Sequence, residues 1–269
     1  MITYSATLDV PTDTATLLTD LLIAERRRRG TGIGTRAATC RTQAILVLRW
    51  FREDTGMPVL ARDAGVSRAT GYRYLHEGID VLAARAPDLH SALEQGKAAG
   101  WSHVVLDGTL IRTDRCRVKS PESGHDLWYS GKHRAHGGNV QVVCDPSGFP
   151  VAVSDVQPWS AHDLAAARAS GFLGTLHAAA ALLGLPTLAD KGYDGAGIGV
   201  HTPAKGAHLA PSTACRNQLL TRLRAEGERG IALLNTRWKA LPRTRLCPQH
   251  IGAILAAALV LTSAERPIR

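Results

Sequence analysis

Long apolar segments are missing from this sequence of 269 residues. The longest one near the end, 251–261, is shorter than the roughly 20 residues that a helix needs to cross a bilayer, so we expect a buried C-terminal helix there. The first ten residues also lack the basic segment and apolar run of a secretory signal. We therefore expect a cytoplasmic, nucleoid-associated bacterial protein with no membrane partner.

Cysteines are few, and their pattern excludes two common classes of small protein. The five are odd in number and none belongs to a Cys-x-x-Cys motif, so neither a disulfide framework nor a zinc ribbon is predicted. His125, His133 and His136 lie near one another in the sequence. No cysteine stands at finger spacing from them, so they do not predict zinc binding.

Acidic residues are the minority among the charged ones, and aromatic residues make up only 5% of the chain. The 32 Lys and Arg against 23 Asp and Glu give a formal net charge of +9. A basic surface attracts polyanions, because each neutralised phosphate releases bound counterions. The charge alone is equally consistent with nucleic-acid binding and with a basic protein that has no such partner.

The residue pattern changes near 98–100 and predicts two domains. Residues 1–98 favour helices, among them 13–29 and 41–54, where apolar residues recur at helical spacing. Residues 99–269 alternate short strands with helices, which is typical of an α/β domain. The four arginines at 26–29 end the first helix, where they could contact phosphate or simply lie in solvent at the negative end of the helix dipole.

A helix-turn-helix is predicted at about 58–78. Ala61 is small where two helices would cross, Gly65 provides the turn, and Ser67 suits the N-cap of the second helix. Gly71 lies inside that second helix and should cost about 1 kcal/mol relative to alanine. The second helix would present a polar face to the major groove of DNA, as a recognition helix does. That face consists of Arg68, Thr70 and Arg73.

Two predicted strands of the second domain end on an acidic residue. The strand at 103–107 ends on Asp107, and the strand at 187–190 ends on Asp190. Carboxylate oxygens are the ligands that Mg²⁺ and Mn²⁺ prefer, and two such ions about 3.5–4 Å apart can cut phosphodiester bonds. Composition alone does not select a metal-binding set from 23 acidic residues.

Specific motifs do identify the metal-binding acids. In these motifs the chain resembles the DDE transposases of bacterial insertion sequences that combine a helix-turn-helix with a compact catalytic domain. The resemblance covers nearly the whole chain, and its most specific element is the Asp-Lys-Gly-Tyr sequence. It is carried by Leu106-Asp107-Gly108-Thr109, Tyr129-Ser130-Gly131-Lys132-His133-Arg134, His162-Asp163-Leu164, Ala189-Asp190-Lys191-Gly192-Tyr193, and Arg224 with Glu228. It implies a ribonuclease H-like catalytic domain, a mixed sheet flanked by helices.

The same resemblance implies the catalytic residues. The three metal-binding acids fall on Asp107, Asp190 and Glu228, with Mg²⁺ as the cofactor and Mn²⁺ as the alternative. Glu226 competes for the third place, but Glu228 is four residues after Arg224 and therefore shares its helix face. The family often has a tyrosine and a lysine where this chain has Thr221 and Asn235. Arg237 or Lys239 could replace the missing DNA contact.

Five further residues are expected by resemblance to contact DNA in the catalytic cleft, although each could instead be a surface residue or an ion-pair partner. They are Lys132, His133, Lys191, Tyr193 and Arg224. Asp163 could be a fourth metal ligand, but we expect it to be a helix N-cap.

The implied function is that of a transposase. Such an enzyme binds the terminal inverted repeats of an insertion sequence, cuts DNA strands and transfers them to target DNA. Its partners are therefore double-stranded DNA at the element ends and at the target, and pairing two ends implies a homodimer. Two alternatives remain open at the sequence level: a catalytically inert DNA-binding descendant of a transposase, and a stand-alone metal-dependent DNA endonuclease.

Overall fold

The computed structural model describes residues 7–32, 34–121 and 124–266. Residues 1–6 and 267–269, which end the two predicted domains, lie outside the described residues. The N-terminal part is helical, as predicted, and contains α1 to α5. Their bounds are Thr12–Arg28, Cys40–Glu53, Met57–Asp63, Arg68–Ala83 and Leu89–Ala98. No helix in the described part of the chain combines the length and apolar character needed to span a membrane.

The predicted helix-turn-helix corresponds to α3 and α4. Ser67 caps α4 and accepts a hydrogen bond from the Thr70 amide at 3.2 Å. Gly65 has a φ of +66°, in the left-handed region that favours glycine. Gly71 also has a packing role, because a β-carbon there would lie 2.5 Å from Met57 Sδ and 3.3 Å from Ala61 Cβ. Its helix-propensity cost is therefore offset by the close approach of α3 to α4.

Strands β1 to β8 form one mixed sheet. Their bounds are Val104–Thr113, Tyr129–Ser130, Ala135–Cys144, Pro150–Val153, Gln157–Pro158, Thr187–Leu188, Val200–His201 and Arg243–Thr244. β1, β3 and β4 are antiparallel neighbours, whereas β6 lies parallel to β1 and β7 parallel to β6. This order is that of the ribonuclease H-like mixed sheet, and it confirms the predicted fold class.

The remaining helices cover the sheet. They are α6 (Asp163–Ala169), α7 (Phe172–Ala178), α8 (Pro211–Arg237) and α9 (Ile251–Ala264). Residues along β1 alternate between two hydrophobic cores, since Val105 belongs to one and Val104 and Leu106 belong to the other. This alternation has the two-residue period of a strand that is buried on both faces.

Packing crosses the boundary predicted near residue 98 in both directions. α9 packs against α4 and α1 as well as against β3 and β4, so the helical part and one face of the sheet share a core. α5 instead packs against β4 and α7, with Leu89 and Leu93 in the core on the other face. The two-domain division remains a prediction, and the hydrophobic cores do not follow it.

Candidate active site

Asp107 lies on β1, next to the parallel strand β6. Its Oδ1 accepts a hydrogen bond from the Gly108 amide at 2.9 Å. Burial raises the pKa of Asp107 to about 6, with the Arg224 charge opposing this shift and the charges of Asp190 and Asp163 adding to it. The structure therefore places four of the charged residues that the sequence singled out within electrostatic range of one another.

Asp190 follows β6, where the chain leaves the sheet in a short 3-10 turn at Lys191–Tyr193. Its Oδ1 accepts a hydrogen bond from the Gly192 amide at 2.7 Å. Because β1 and β6 are parallel, the residues that follow their paired segments emerge at the same edge of the sheet. This topology explains why Asp107 and Asp190 interact although they are 83 residues apart in the sequence.

Asp163 does not have the capping role that we expected. The N-cap of α6 is His162, and no side chain forms a cap hydrogen bond there. Asp163 Oδ1 instead accepts a hydrogen bond from Asn139 Nδ2 at 2.7 Å. A β-carbon on Gly108 would lie only 2.5 Å from the same Oδ1, so the carboxylate is packed against the backbone beside Asp107. The N-cap interpretation was wrong because a tertiary contact outcompetes the local one.

α8 brings the third predicted acid toward the second. Asp190, Lys191, Arg224 and Glu228 line one open cavity of about 630 Å³. Arg224 Nε is buried and has no hydrogen-bond partner among the described residues. Glu226 is absent from that lining and pairs with Arg229 at 2.5 Å. The geometry thus favours Glu228 over Glu226, and the assignment of the third acid remains a prediction.

The three predicted acids suit a hard divalent cation in their chemistry, because each offers carboxylate oxygens. Asp107 and Asp190 act on each other as like charges, which a bound cation would neutralise. Within the described ranges, no three His, Cys, Asp or Glu side chains lie close enough to hold one metal ion together. The donor types therefore fit the implied metal, while the carboxylates do not converge on a single point.

A match to a known family extends over this whole site. The sequence matches the family described as DDE superfamily endonuclease across residues 106–263, more than half of the chain. The chain belongs to this family. The matched segment includes Asp107, Asp163, Asp190 and Glu228.

Comparisons with individual proteins add little to the family assignment of this DDE superfamily endonuclease. No curated protein matches its sequence. A solved structure described as a pre-cleavage Mos1 transpososome is similar at 12% sequence identity and a TM-score of 0.23, over 97% of this chain and 100% of that chain. A TM-score this low establishes no relationship in detail.

Tyr193 is not available to DNA in this DDE superfamily endonuclease. The side chain is fully buried, and its hydroxyl donates a hydrogen bond to Gln141 Oε1 at 2.5 Å. Burial, with the charges of Asp163 and Asp107 adding to it, raises the pKa of Tyr193 well above its usual range, so the hydroxyl keeps its proton and can donate. The structure contradicts the predicted phosphate contact of Tyr193, because the side chain points into the core.

The other residues predicted to contact DNA in the cleft are exposed or partly exposed. Lys191 is exposed beside Asp190. Lys132 and His133 are exposed on the segment after β2, and they line a small cavity together with Asp163. The His133 ring lies 5.5 Å from the Trp159 ring. Their contacts with DNA remain predictions, and the structure places them on the same side of the site as α6.

The predicted recognition helix presents its polar residues to solvent. Arg68 and Arg73 are exposed, and Thr70 is partly exposed. Arg73 donates a hydrogen bond to Thr70 Oγ1 at 2.9 Å, while the Arg68 guanidinium lies 5.8 Å from the centre of the Tyr72 ring. Each arginine is thus held by a neighbour on α4 itself, Arg68 beside Tyr72 and Arg73 beside Thr70.

The arginines that end α1, and Arg237 on α8, form contacts within the protein. Arg28 and Arg29 both pair with Glu25, and Arg26 donates to Gln43 Oε1 at 2.8 Å. The pairing of three of the four arginines favours the solvated helix end over a phosphate site. Arg237, which could have replaced a missing DNA contact, pairs with Glu265 at 2.6 Å and with Asp9 at 2.9 Å.

Proposed function

We propose that this DDE superfamily endonuclease is an insertion-sequence transposase that binds the terminal inverted repeats of its element and cuts and transfers DNA strands. The observation that carries the proposal is the meeting of Asp107 and Asp190 at one edge of the sheet, beside the cavity that Arg224 and Glu228 line. The family match supports the nuclease part of this function. Repeat binding and strand transfer are the parts that need experiment.

The residues of the cleft have distinct roles in this proposal. Asp107, Asp190 and Glu228 would hold Mg²⁺ or Mn²⁺, which supplies an activated water or 3′-hydroxyl and neutralises charge on the leaving oxygen. Arg224, with its unpartnered Nε, is placed to bind a phosphate oxygen of the strand. Lys191 adds a second positive charge at the rim of the same cavity. The protein then contributes chiefly by positioning the strand and stabilising charge.

DNA selection belongs to a separate surface in this proposal. Arg68, Thr70 and Arg73 lie in the first two turns of α4, and this end of a recognition helix is the part that contacts base edges in the major groove. The transposase would bind double-stranded DNA at both element ends and at the target. Two ends must be held together for transfer, so we infer a homodimer in the active complex.

The decisive test is a cleavage assay on DNA that carries the element's own ends, in Mg²⁺, in Mn²⁺ and in EDTA. The wild type should cut at the tip of the repeat only when a metal is present. Asp190→Ala should bind the repeat with unchanged affinity in a gel-shift assay and should not cut. Asp155→Ala is a matched control, because Asp155 is an exposed acid outside the cleft and its loss should leave cleavage unchanged.

Three other outcomes would each change the proposal. Tight repeat binding without cleavage in either metal would identify an inert DNA-binding descendant. Metal-dependent cutting without joining to a target would identify a stand-alone endonuclease. Cutting that persists in Asp190→Ala would remove the assignment of the metal-binding acids.

A further inference from the structure

Asp163 is held by a chain of buried polar side chains that begins on the far side of the Asp190 turn. The Tyr193 hydroxyl donates to Gln141 Oε1 at 2.5 Å, and Gln141 Nε2 donates to Asn139 Oδ1 at 2.9 Å. Asn139 Nδ2 then donates to Asp163 Oδ1 at 2.7 Å. Tyr193, Gln141 and Asn139 are each no more than 1% exposed. The four residues come from three separate parts of the chain.

The donor-to-acceptor direction of these three hydrogen bonds is fixed by the residues at the two ends, Tyr193 and Asp163. A protonated Tyr193 can begin it as a donor, and a carboxylate at Asp163 can end it as an acceptor. Each amide between them accepts through its oxygen and donates through its nitrogen, so the hydrogen bonds reinforce one another in a low-dielectric environment. These hydrogen bonds therefore fix the orientation of the Asp163 carboxylate through the Asn139 Nδ2 donor.

Asp163 is turned toward the two predicted metal-binding aspartates. The β-carbon position of Gly192 lies 2.8 Å from Asp190 Oδ1 and 3.6 Å from Asp163 Oδ2, so Gly192 lies between these two carboxylates. Asp163 also contributes to the raised pKa of Asp107, which places its charge near that group. Among the described residues, no Lys, Arg or His forms an ion pair with Asp107, Asp163 or Asp190 within 4.0 Å.

We propose that Asp163 is a fourth carboxylate of the cation centre and that Asn139 is its positioning residue. This inference rests on the proposed function, because the cation is the one that the transposase reaction requires. Asp163 supplies negative charge on the α6 side of the site, whereas Glu228 supplies it on the α8 side. Gly108 permits the arrangement, since a side chain there would collide with the Asp163 carboxylate.

The test measures Mn²⁺ binding to the whole chain without DNA, by calorimetry and by the electron paramagnetic resonance signal of free Mn²⁺. The wild type, Asp107→Ala, Asp163→Asn and the exposed-acid control Asp155→Asn are compared. Asparagine at 163 can still accept the Asn139 hydrogen bond, so the fold should be retained while the charge is lost. We expect Asp163→Asn to weaken Mn²⁺ binding by about 10- to 100-fold, as for groups that support a metal site, and Asp155→Asn to have no effect.

The role of Asn139 is tested by a double-mutant cycle on the same affinity. Asn139→Ala keeps the Asp163 charge but frees its orientation, so it should weaken Mn²⁺ binding less than Asp163→Asn does. In the Asp163→Asn background it should cause little further loss, because the two residues act through one carboxylate. Equal losses in both backgrounds would overturn the positioning role. If Asp163→Asn does not fold, unchanged Mn²⁺ affinity in a folded Asn139→Ala overturns the proposal.

The remaining outcomes separate this inference from the proposed function. Wild-type affinity in folded Asp163→Asn, with binding lost in Asp107→Ala, overturns the role of Asp163 alone. Absence of Mn²⁺ binding in the wild type overturns both the inference and the metal-dependent reaction on which it rests.

Discussion

The helical region and the candidate active site differ in how their buried charges are paired. In the helical region, the carboxylate of Glu77 is only 6% exposed and is bound by Arg36 and by Gln43 Nε2. In the cleft, Asp107, Asp163 and Asp190 lie near one another, and Arg224 is the cation that the pKa of Asp107 senses. The helical region neutralises this charge within the protein, whereas in the candidate site three carboxylates lie near one another, as the proposed binding of a cation requires.

This difference separates structural charge from functional charge. A buried ion pair is satisfied by its own partners, and removing one member leaves the other uncompensated. Like-charged carboxylates destabilise the protein that carries them and become favourable only when a cation binds. Removing a charge should therefore lower the free energy of unfolding in the helical region and leave it unchanged or raise it in the cleft.

The largest expected effect is in the cleft and concerns activity. Asp107→Asn should abolish metal-dependent DNA cleavage, with a loss beyond the roughly 100-fold typical of residues that only support a metal site. Its melting temperature without metal should equal or exceed that of the wild type, since a buried charge near two other carboxylates is removed. Cleavage is measured on repeat-end DNA and stability by calorimetry. A clearly lower melting temperature would break the comparison, because Asp107 would then be a structural charge.

The second effect is in the helical region and concerns stability. Glu77→Ala leaves Arg36 without its partner and should lower the free energy of unfolding by about 3 kcal/mol, in the range for breaking a buried ion pair. Denaturant unfolding of the whole chain measures it. Glu94→Ala, at an exposed acid on α5, is the control and should change little. Equal effects of the two substitutions would show that Glu77 is not a structural ion pair.

The third effect concerns the packing of α8, the helix that carries Glu228, against β1. α8 approaches β1 closely at Gly227, where a β-carbon would lie 2.4 Å from Val105 Cγ1. Gly227→Ala should therefore cost about 1–3 kcal/mol of stability, as overpacking does, and should shift Glu228 away from Asp190. Gly174→Ala is the matched control in open space on α7 and should stabilise slightly through helix propensity. Unchanged stability in Gly227→Ala would mean that α8 moves freely over the sheet.

The smallest effect is on DNA binding by α4. Arg73→Ala should weaken binding to repeat DNA and reduce the slope of log affinity against log salt by about 1 if the arginine contacts phosphate. If it reads a base instead, affinity should fall for the repeat but not for unrelated DNA. Cleavage per bound complex should be unchanged, because α4 carries no residue of the cleft. Wild-type affinity for both DNAs would remove α4 as the recognition helix.

The sequence predicted the parts of the fold that depend on local signals. The cap at Ser67 occurs where predicted. The cap at Asp88 and the hairpin turn at 145–148 depend on equally local contacts, with Asp145 Oδ1 accepting a hydrogen bond from the Phe149 amide at 2.9 Å. The strand predicted at 103–107 continues to Thr113, because its pairing with β3 extends that far, whereas the strand predicted at 187–190 is only Thr187–Leu188. Local patterns thus locate elements well and their ends less well.

The residues of the candidate site also fall into those that local signals predicted and those that they did not. Asp107 and Asp190 were predictable because each comes directly after an apolar segment and belongs to a motif of the family, although β1 continues through Asp107 to Thr113. Gln141 and Asn139 were missed because they lie on β3 as ordinary polar residues in a buried strand. Their only signal was that two fully buried polar residues at alternate positions of one strand face need partners.

By itself, the sequence determined the helical N-terminal part, the turn and cap of the helix-turn-helix, and the two strands that deliver Asp107 and Asp190. These features depend on residues within a few positions of one another. Only the tertiary structure decided that Tyr193 is buried, that Asp163 joins the cleft instead of capping α6, and that α9 packs against both parts. Each of these depends on which of several partners, distant in the chain, a side chain meets after folding, and burial then makes the satisfied contact the favoured one.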